Sequence, residues 1–174
     1  MPDPQDKEWI IMFDIKLRLK DHGQVTASGY GTVEGSETVI DLGPGLVIGS
    51  IIFDIFKLNI PTNDELYRLH LMGGDDESFT NEVSLCCLEL GAAEVVEGGG
   101  DSVRARYVLP FSNEQAGTIY PYVRIRHEIS GSAPCINYKA TLTHLHGLRG
   151  STNIAESTTT TTTSSSSTTT TTAP

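Results

Sequence analysis

Two short stretches contain the side chains that most resemble metal ligands. Asp75, Asp76 and Glu77 lie together in "GGDDES", and hard cations such as Ca²⁺ take oxygen ligands from loops of this kind. The stretch lacks the spaced acidic positions of a calcium loop, so it predicts a solvated turn. His144 and His146 in "THLH" share one strand face, a spacing that can bind zinc, but no third ligand follows nearby. We therefore expect no metal and no other cofactor.

Nucleophiles and phosphate-binding loops are equally hard to find in the sequence. The glycines of "GYGTVEG" lack the GxGxxG order, a following helix and a basic residue. No Ser lies in a nucleophile elbow, and the adjacent Cys86 and Cys87 have no reactive signature. We expect these two and Cys135, in a predicted loop, to be reduced thiols, two of them packing residues. The sequence predicts that the protein is not an enzyme.

The charge of the chain argues against nucleic acid as a partner. The formal net charge is -10 and the pI is near 4.8, whereas nucleic-acid recognition begins with a positive surface. No apolar run approaches the roughly 20 residues that span a bilayer, and the start "MPDPQDKEW" lacks the features of a signal peptide. We expect neither nucleic acid nor a membrane as a partner, and synthesis in a cytoplasm.

The first regular element is predicted from "WIIMFDIKLRLK". Its odd positions from Ile11 to Leu19 are apolar, while its even positions change from Ile10 and Met12 to charged residues. Trp9, Ile10 and Met12 are thus apolar residues at an end of the strand that is otherwise expected to be exposed to solvent. This predicts that the same chain or a neighbour covers that end, and the three residues are candidate subunit or shell contacts.

Alternation with period two recurs along the chain and predicts an all-β protein. The residues predicted to face inward are Val103, Ala105, Tyr107 and Leu109 in "SVRARYVLP", and Val123, Ile125, His127 and Ile129 in "YVRIRHEI". Further strand candidates are "ETVIDL", "SIIFDIFKL", "LYRLHLM", "EVSLCCLEL" and "YKATLTHLH". "NEVSLCCLELGAAEVVE" has helical spacing too, but its β-branched residues favour a strand and loop. About eight strands at this spacing predict a β-sandwich or jelly roll.

A change of composition divides the chain into two parts. Residues 1–150 are predicted to form a single β-sandwich (jelly-roll) domain, and residues 151–174 a Thr/Ser-rich tail. Every residue from Ser157 to Thr172 is Ser or Thr, a composition with no large apolar side chain to offset the entropy of ordering. We expect an exposed, solvated tail; an O-glycosylated stalk is the alternative.

One family resemblance is carried by "ETVIDLGPG", "SIIFDIFKL", "LYRLHLM", "RYVLPF" and "YPYVRIRHEISGSAPCINYKATLTH". Over about Thr38 to His144 the sequence resembles the small jelly-roll cement or decoration proteins of tailed bacteriophage capsids, the group similar to the Bordetella phage cement protein. Three features carry the likeness: the "IDLG" turn before the first long central strand, "LP" after a late strand, and the closing pair "YVRIRHEISG" and "KATLT".

The resemblance implies a structural virion protein without enzyme activity. It would be made in the host cytoplasm, assemble as a homotrimer on the capsid surface, bind the major capsid protein and strengthen the shell against internal DNA pressure. The long first strand, "AAEVVEGGGD" and the Thr/Ser tail depart from the family pattern. These additions leave room for a fibre-like or receptor-contacting role.

Two other functions remain open from the sequence. A carbohydrate-binding β-sandwich attached through a Thr/Ser-rich linker is the main alternative, and it requires exposed planar aromatic residues for stacking. The chain has one Trp and 7% aromatic residues. A jelly-roll enzyme of the cupin type would need a His-rich metal set, and the five His residues do not have that spacing.

Overall fold

The computed structural model describes residues 15–96 and 100–148. Its elements in chain order are the 3₁₀ turn η1 (Ile15–Leu17) and the strands β1 (Arg18–Val25), β2 (Gly29–Tyr30), β3 (Thr32–Val33), β4 (Ser36–Glu37), β5 (Ile40–Asp41), β6 (Leu46–Asn59), β7 (Leu66–Gly74), β8 (Glu82–Gly91), β9 (Arg106–Ser112), β10 (Glu114–Gln115), β11 (Thr118–Ile119), β12 (Tyr122–Ser130) and β13 (Cys135–Leu148). The all-β prediction is confirmed. In this part of the chain no helix has the length and apolar character needed to span a membrane.

The long strands form two antiparallel sheets. The four-stranded sheet has the order β1-β13-β6-β9, and the five-stranded sheet has the order β2-β12-β7-β8 with β5 also paired to β12. Two short hairpins, β3–β4 and β10–β11, lie outside these sheets. The chain passes between the sheets at β1–β2, β5–β6, β6–β7, β8–β9, β9–β12 and β12–β13, so each sheet combines strands that are distant in sequence. This strand order is that of a double-sheet jelly roll.

The core lies between the inner faces of the two sheets. Alternate residues of each strand point inward, as expected for sheets with one buried face. The fully buried members are Leu19, Ile51, Phe53, Ile136, Tyr138 and Ala140 from the four-stranded sheet and Tyr67, Leu69, Leu71, Val123 and Ile125 from the five-stranded sheet. Burial of these side chains is the main favourable term that holds the sheets together.

The predicted strand faces are confirmed for β12 and partly wrong for β9. Val123, Ile125 and His127 are at most 4% exposed, and Ile129 packs against the core. Val103, predicted to face inward, is 65% exposed and Ala105 is also exposed, because the strand begins only at Arg106. The preceding residues form a loop that is held by a hydrogen bond from Tyr107 Oη to the Val103 carbonyl oxygen, 2.7 Å long.

The first described residues differ from the predicted continuous strand. Residues Ile15–Leu17 form a 3₁₀ turn, and β1 begins at Arg18. Lys20, predicted to be exposed, is 5% exposed, because irregularities in the β1–β13 pairing on both sides of it turn its side chain inward. Its ammonium donates to the Asp21 carbonyl oxygen (2.9 Å), and burial lowers the pKa of this lysine.

The region around Cys135 is also more ordered than predicted. Cys135 opens β13 instead of lying in a loop, and it is buried. Its main-chain N–H donates to Tyr67 Oη (2.8 Å), and the same hydroxyl donates to the Asn59 carbonyl oxygen (2.6 Å). "EVSLCCLELG" forms β8, which confirms the choice of a strand over a helix.

Two predictions fall outside the described residues. Trp9, Ile10 and Met12 lie before residue 15, and the Thr/Ser tail lies after residue 148. The candidate contacts and the boundary at residue 150 therefore stay predictions from sequence.

Candidate interaction surface

The outer face of the four-stranded sheet presents apolar side chains. Because Ile51, Phe53 and Ile55 point into the core, the intervening residues of β6 point outward. We define the apolar strip as Ile48, Ile52 and Phe56 of β6 with Val108 and Pro110 of β9. Ile48, Phe56 and Val108 are 50%, 46% and 56% exposed. Neighbouring strands thus place large apolar groups side by side on a surface that is expected to be polar.

Burial within the strip changes across the sheet. Ile52 pairs with Val108 of β9 on one side and with Thr141 of β13 on the other. Ile52 and Thr141 are only 8% and 5% exposed although both point outward. Val108, on the edge strand, is more than half exposed. The accessible members of the strip are therefore Ile48, Phe56, Val108 and Pro110.

Pro110 lies on the open edge of β9. The Ile55 N–H donates to the Ala105 carbonyl oxygen (3.0 Å), and the Asn113 N–H donates to the Val47 carbonyl oxygen (3.0 Å). Odd positions of β9 therefore turn their main-chain groups toward β6, and even positions turn them toward the edge. Proline has no N–H to offer there, so it interrupts the row of donors that another strand would need.

The charge of this outer face is opposite in sign to that of the whole chain. The outward or exposed charged residues of its strands are the cations Arg18, Lys57, Arg106 and Lys139 and the anions Asp21 and Asp54, a formal sum of +2. Arg106 pairs with Asp54 (2.6 Å), and Arg18 pairs with Asp21 (2.7 Å). Both carboxylates are thus paired, and the excess charge is positive.

The outer face of the five-stranded sheet is instead covered by ion pairs. Its pairs are Arg68–Glu89 (2.6 Å), Arg124–Glu37 (2.6 Å), Arg124–Glu82 (2.7 Å), Arg126–Glu82 (2.9 Å) and Arg126–Glu128 (3.0 Å). Arg126 and Glu128 both lie on β12, whereas the other partners lie on different strands, where opposite charges stabilise the pairing. The arginines of this face are therefore paired within the molecule, although Arg124 Nε is buried without a hydrogen-bond partner among the described residues.

Arg124 is the most enclosed cation of that network. Its side chain is 12% exposed. The guanidinium carbon lies 3.9 Å from the centre of the Tyr30 ring and 4.1 Å from that of Phe79. Stacking on two rings adds cation–π attraction to the two ion pairs. One face of each ring is thereby occupied.

A groove of about 340 Å³ opens on the same face. It is lined by Ser28, Leu66, Arg68, Arg126, Glu128, Ile129 and Ser130. Its two arginines already bind carboxylates of Glu82, Glu89 and Glu128. The groove therefore offers no unpaired arginine for an anionic ligand.

His70 and Cys87 lie side by side near this groove. Cys87 Sγ is 3.8 Å from His70 Nε2, and Ser84 Oγ is 2.9 Å from His70 Nδ1. Burial, and then Glu89, raise the pKa of the Cys87 thiol, and burial raises the pKa of Cys86 to about 11. Thiols with raised pKa values are neutral at pH 7 and poor nucleophiles. All three cysteines are free; Cys86 and Cys135 are packing residues, as predicted, and Cys87 is exposed.

The two stretches that resembled metal sites can now be placed. "GGDDES" forms the end of β7 and the following turn, where Asp76 Oδ1 accepts from the Ser78 N–H (2.7 Å) and Asn81 Nδ2 donates to Asp75 (2.9 Å). The predicted turn is confirmed. His144 and His146 lie in β13, and His146 pairs with Ile48 through the main chain. Among the side chains described in residues 15–96 and 100–143, no three His, Cys, Asp or Glu are grouped to hold a metal ion.

Neither a protein-family model nor a curated protein matches this sequence. The apolar strip was missed from sequence although a signal existed: "LVIGSIIFDIF" is apolar at Ile48, Ile52 and Phe56 as well as at the inward positions. A nearly continuous apolar run also fits a strand buried on both faces. Only the position of β6 in the sheet shows that one of its faces is accessible.

Proposed function

We propose that the protein is a structural virion protein, a cement or decoration protein that binds the outside of a tailed-phage capsid and stabilises the shell. It assembles as a homotrimer and contacts the major capsid protein. The observation that supports this proposal best is the apolar strip on the outer face of the four-stranded sheet. A rigid β-sandwich with one such face has the surface that protein partners bind.

The strip and the surrounding charge suit association with protein. Half-exposed Ile48, Phe56 and Val108 supply apolar area that is removed from water on contact. The cations around them lie on a chain of net charge -10, so an acidic part of a second copy or of the shell would be attracted to this face. Trp9, Ile10 and Met12 extend the proposed contact.

The carbohydrate-binding alternative has less support. Sugar sites use exposed aromatic rings as stacking platforms. Tyr30 and Phe56, 37% and 46% exposed, are the exposed large aromatics of the described residues. The Tyr30 ring stacks with Arg124, and the edge-on partner of Phe56 is His22 at 4.7 Å. The two rings also belong to different sheets, so they do not form one platform.

Light scattering of the full chain tests the self-association. We expect a trimer at micromolar concentration, and we expect Val108→Asp to shift it to monomer because a charge in a desolvated contact is costly. Val95→Asp is the matched control, because Val95 is 40% exposed and lies in the turn after β8. A monomeric wild type, or equal loss of association in both variants, contradicts the assigned surface.

Images of particles test the virion assignment. Immunogold labelling of negatively stained particles that carry the protein is expected to mark the outer surface of the head. Labelling confined to tails, or no protein in purified particles, would be evidence for another function.

A further inference from the structure

We infer that the apolar strip binds the N-terminal segment, residues 1–14, of a second copy of this chain. This inference rests on the proposed self-association and specifies its contact. The strip is an accessible face with exposed apolar residues on β6 and β9. Its occupant must supply apolar side chains and, because the surrounding charge is positive, carboxylates.

The N-terminal segment has this chemistry. "MPDPQDKEWIIMFD" contains Asp3, Asp6, Glu8 and Asp14 against Lys7, a formal charge of -3. It also contains five consecutive apolar residues, Trp9 to Phe13. The other terminal stretch, Ser157 to Thr172, has neither charge nor a large apolar side chain. Of the two ends of the chain, only the N-terminal one complements a face of charge +2 that exposes Ile48, Phe56 and Val108.

The positions of the two surfaces suit a head-to-tail contact between copies. The segment joins the sandwich through η1 at β1, one edge of the four-stranded sheet, whereas Val108 and Pro110 of the strip lie on β9, the opposite edge. When the β1 edge of one copy faces the β9 edge of the next, the N-terminal segment of the first copy lies next to the apolar strip of the second. Such a head-to-tail contact is heterologous and closes into a ring when the rotation between copies permits.

The segment is long enough for this contact. Fourteen extended residues reach at most about 50 Å, and a four-stranded sheet is only about 14 Å wide from first to last strand. Pro110 interrupts the donors of the β9 edge, so addition of the segment as a further strand is disfavoured there. The expected contact is therefore through side chains on the face of the sheet.

Disulfide cross-linking of Ile10 to Val108 tests the inference. Both residues are replaced by Cys in one chain that also carries Cys87→Ser, because Cys87 is the exposed native thiol. After oxidation, denaturing gels are expected to show covalent dimers and trimers. A chain with Ile10→Cys and Val95→Cys is the matched control and is expected to stay largely monomeric.

Other outcomes overturn the inference in distinguishable ways. A cross-link formed only within single chains would show that the segment covers its own sheet. Absence of any Ile10–Val108 cross-link, with a trimer still present by light scattering under reducing conditions, would reject the segment as occupant but leave the proposed self-association intact. A monomer without cross-links would reject both.

Discussion

The two outer faces of the sandwich differ in how their side chains are satisfied. On the five-stranded sheet, arginines and glutamates bind one another across strands, and Arg124 is stacked between two rings. On the four-stranded sheet, large apolar groups stay half exposed and the charge is positive. The ion pairs of the first face form within one molecule. The second face exposes apolar groups, and this is why the proposed contact is placed there.

Both faces rest on one interior, which contains a polar link between the sheets. His127 of β12 is 4% exposed, and its Nδ1 lies 2.9 Å from Tyr138 Oη of β13. Lys20 lies over the same ring, with its Nζ 4.6 Å from the ring centre. Protonation of His127 would place a second cation in this buried region, where charge is poorly solvated.

The largest expected effect is a loss of stability of the whole sandwich at acid pH, because the two faces share one interior. Burial, and then Lys20, lower the pKa of His127 to about 4. In the unfolded chain this histidine binds a proton near pH 6.5, whereas the folded protein resists protonation down to about pH 4. The stabilisation that comes from the low pKa of His127 is therefore fully present above about pH 6.5. The free energy of unfolding falls by about 2–3 kcal/mol as the pH decreases to about 4. Urea unfolding at steps of pH measures this loss.

The variant His127→Gln isolates the contribution of the histidine. Glutamine can keep a hydrogen bond with Tyr138 but does not titrate, so the loss between pH 6.5 and 4 should be smaller than in wild type. Aspartates with lowered pKa, such as Asp64 at about 2, act at lower pH. An identical pH profile in the variant would show that His127 is not responsible.

The sequence predicted the parts of the fold that depend on local pattern. The inward positions of β12 and the strand character of β8 follow from alternation and β propensity, and both are confirmed. Lys20 was misplaced because pairing irregularities in the neighbouring strand are not visible in local sequence. Val103 was misplaced because alternation continues into a loop, where no partner strand exists.

The two outer faces were harder to predict for the same reason. Arg124 and Glu37 are 87 residues apart in sequence, so their pairing depends on how β12 is placed in the sheet. The apolar strip combines β6 with β9, and only the strand order brings Ile52 and Val108 together. Composition and period give the faces of a strand, whereas surface chemistry depends on which strands are neighbours.

An intermediate effect is expected from removing the enclosed cation of the five-stranded face. Arg124→Met keeps apolar contact with Tyr30 and Phe79 but loses the cation–π attraction and leaves Glu82 with one fewer partner. We expect the free energy of unfolding to fall by about 2 kcal/mol. Arg126→Met is the control on the same face; its side chain is 40% exposed, so a loss below about 1 kcal/mol is expected. Equal losses would contradict a special role for the stacked position.

The smallest expected effect concerns the Arg106–Asp54 pair of the four-stranded face. Its two hydrogen bonds are 2.6 and 3.2 Å long, but the arginine side chain is 58% exposed. Solvent and salt screen such pairs, so a double-mutant cycle with Arg106→Met and Asp54→Asn should give a coupling energy of about 0.5 kcal/mol. The coupling should decrease further at about 1 M salt, where the screening length is about 3 Å. Because the face is proposed to bind a partner, the cycle is measured below the concentration at which the protein associates. A coupling above about 1.5 kcal/mol would mean that this face too is organised by ion pairs within one molecule, and the contrast between the two faces would be lost.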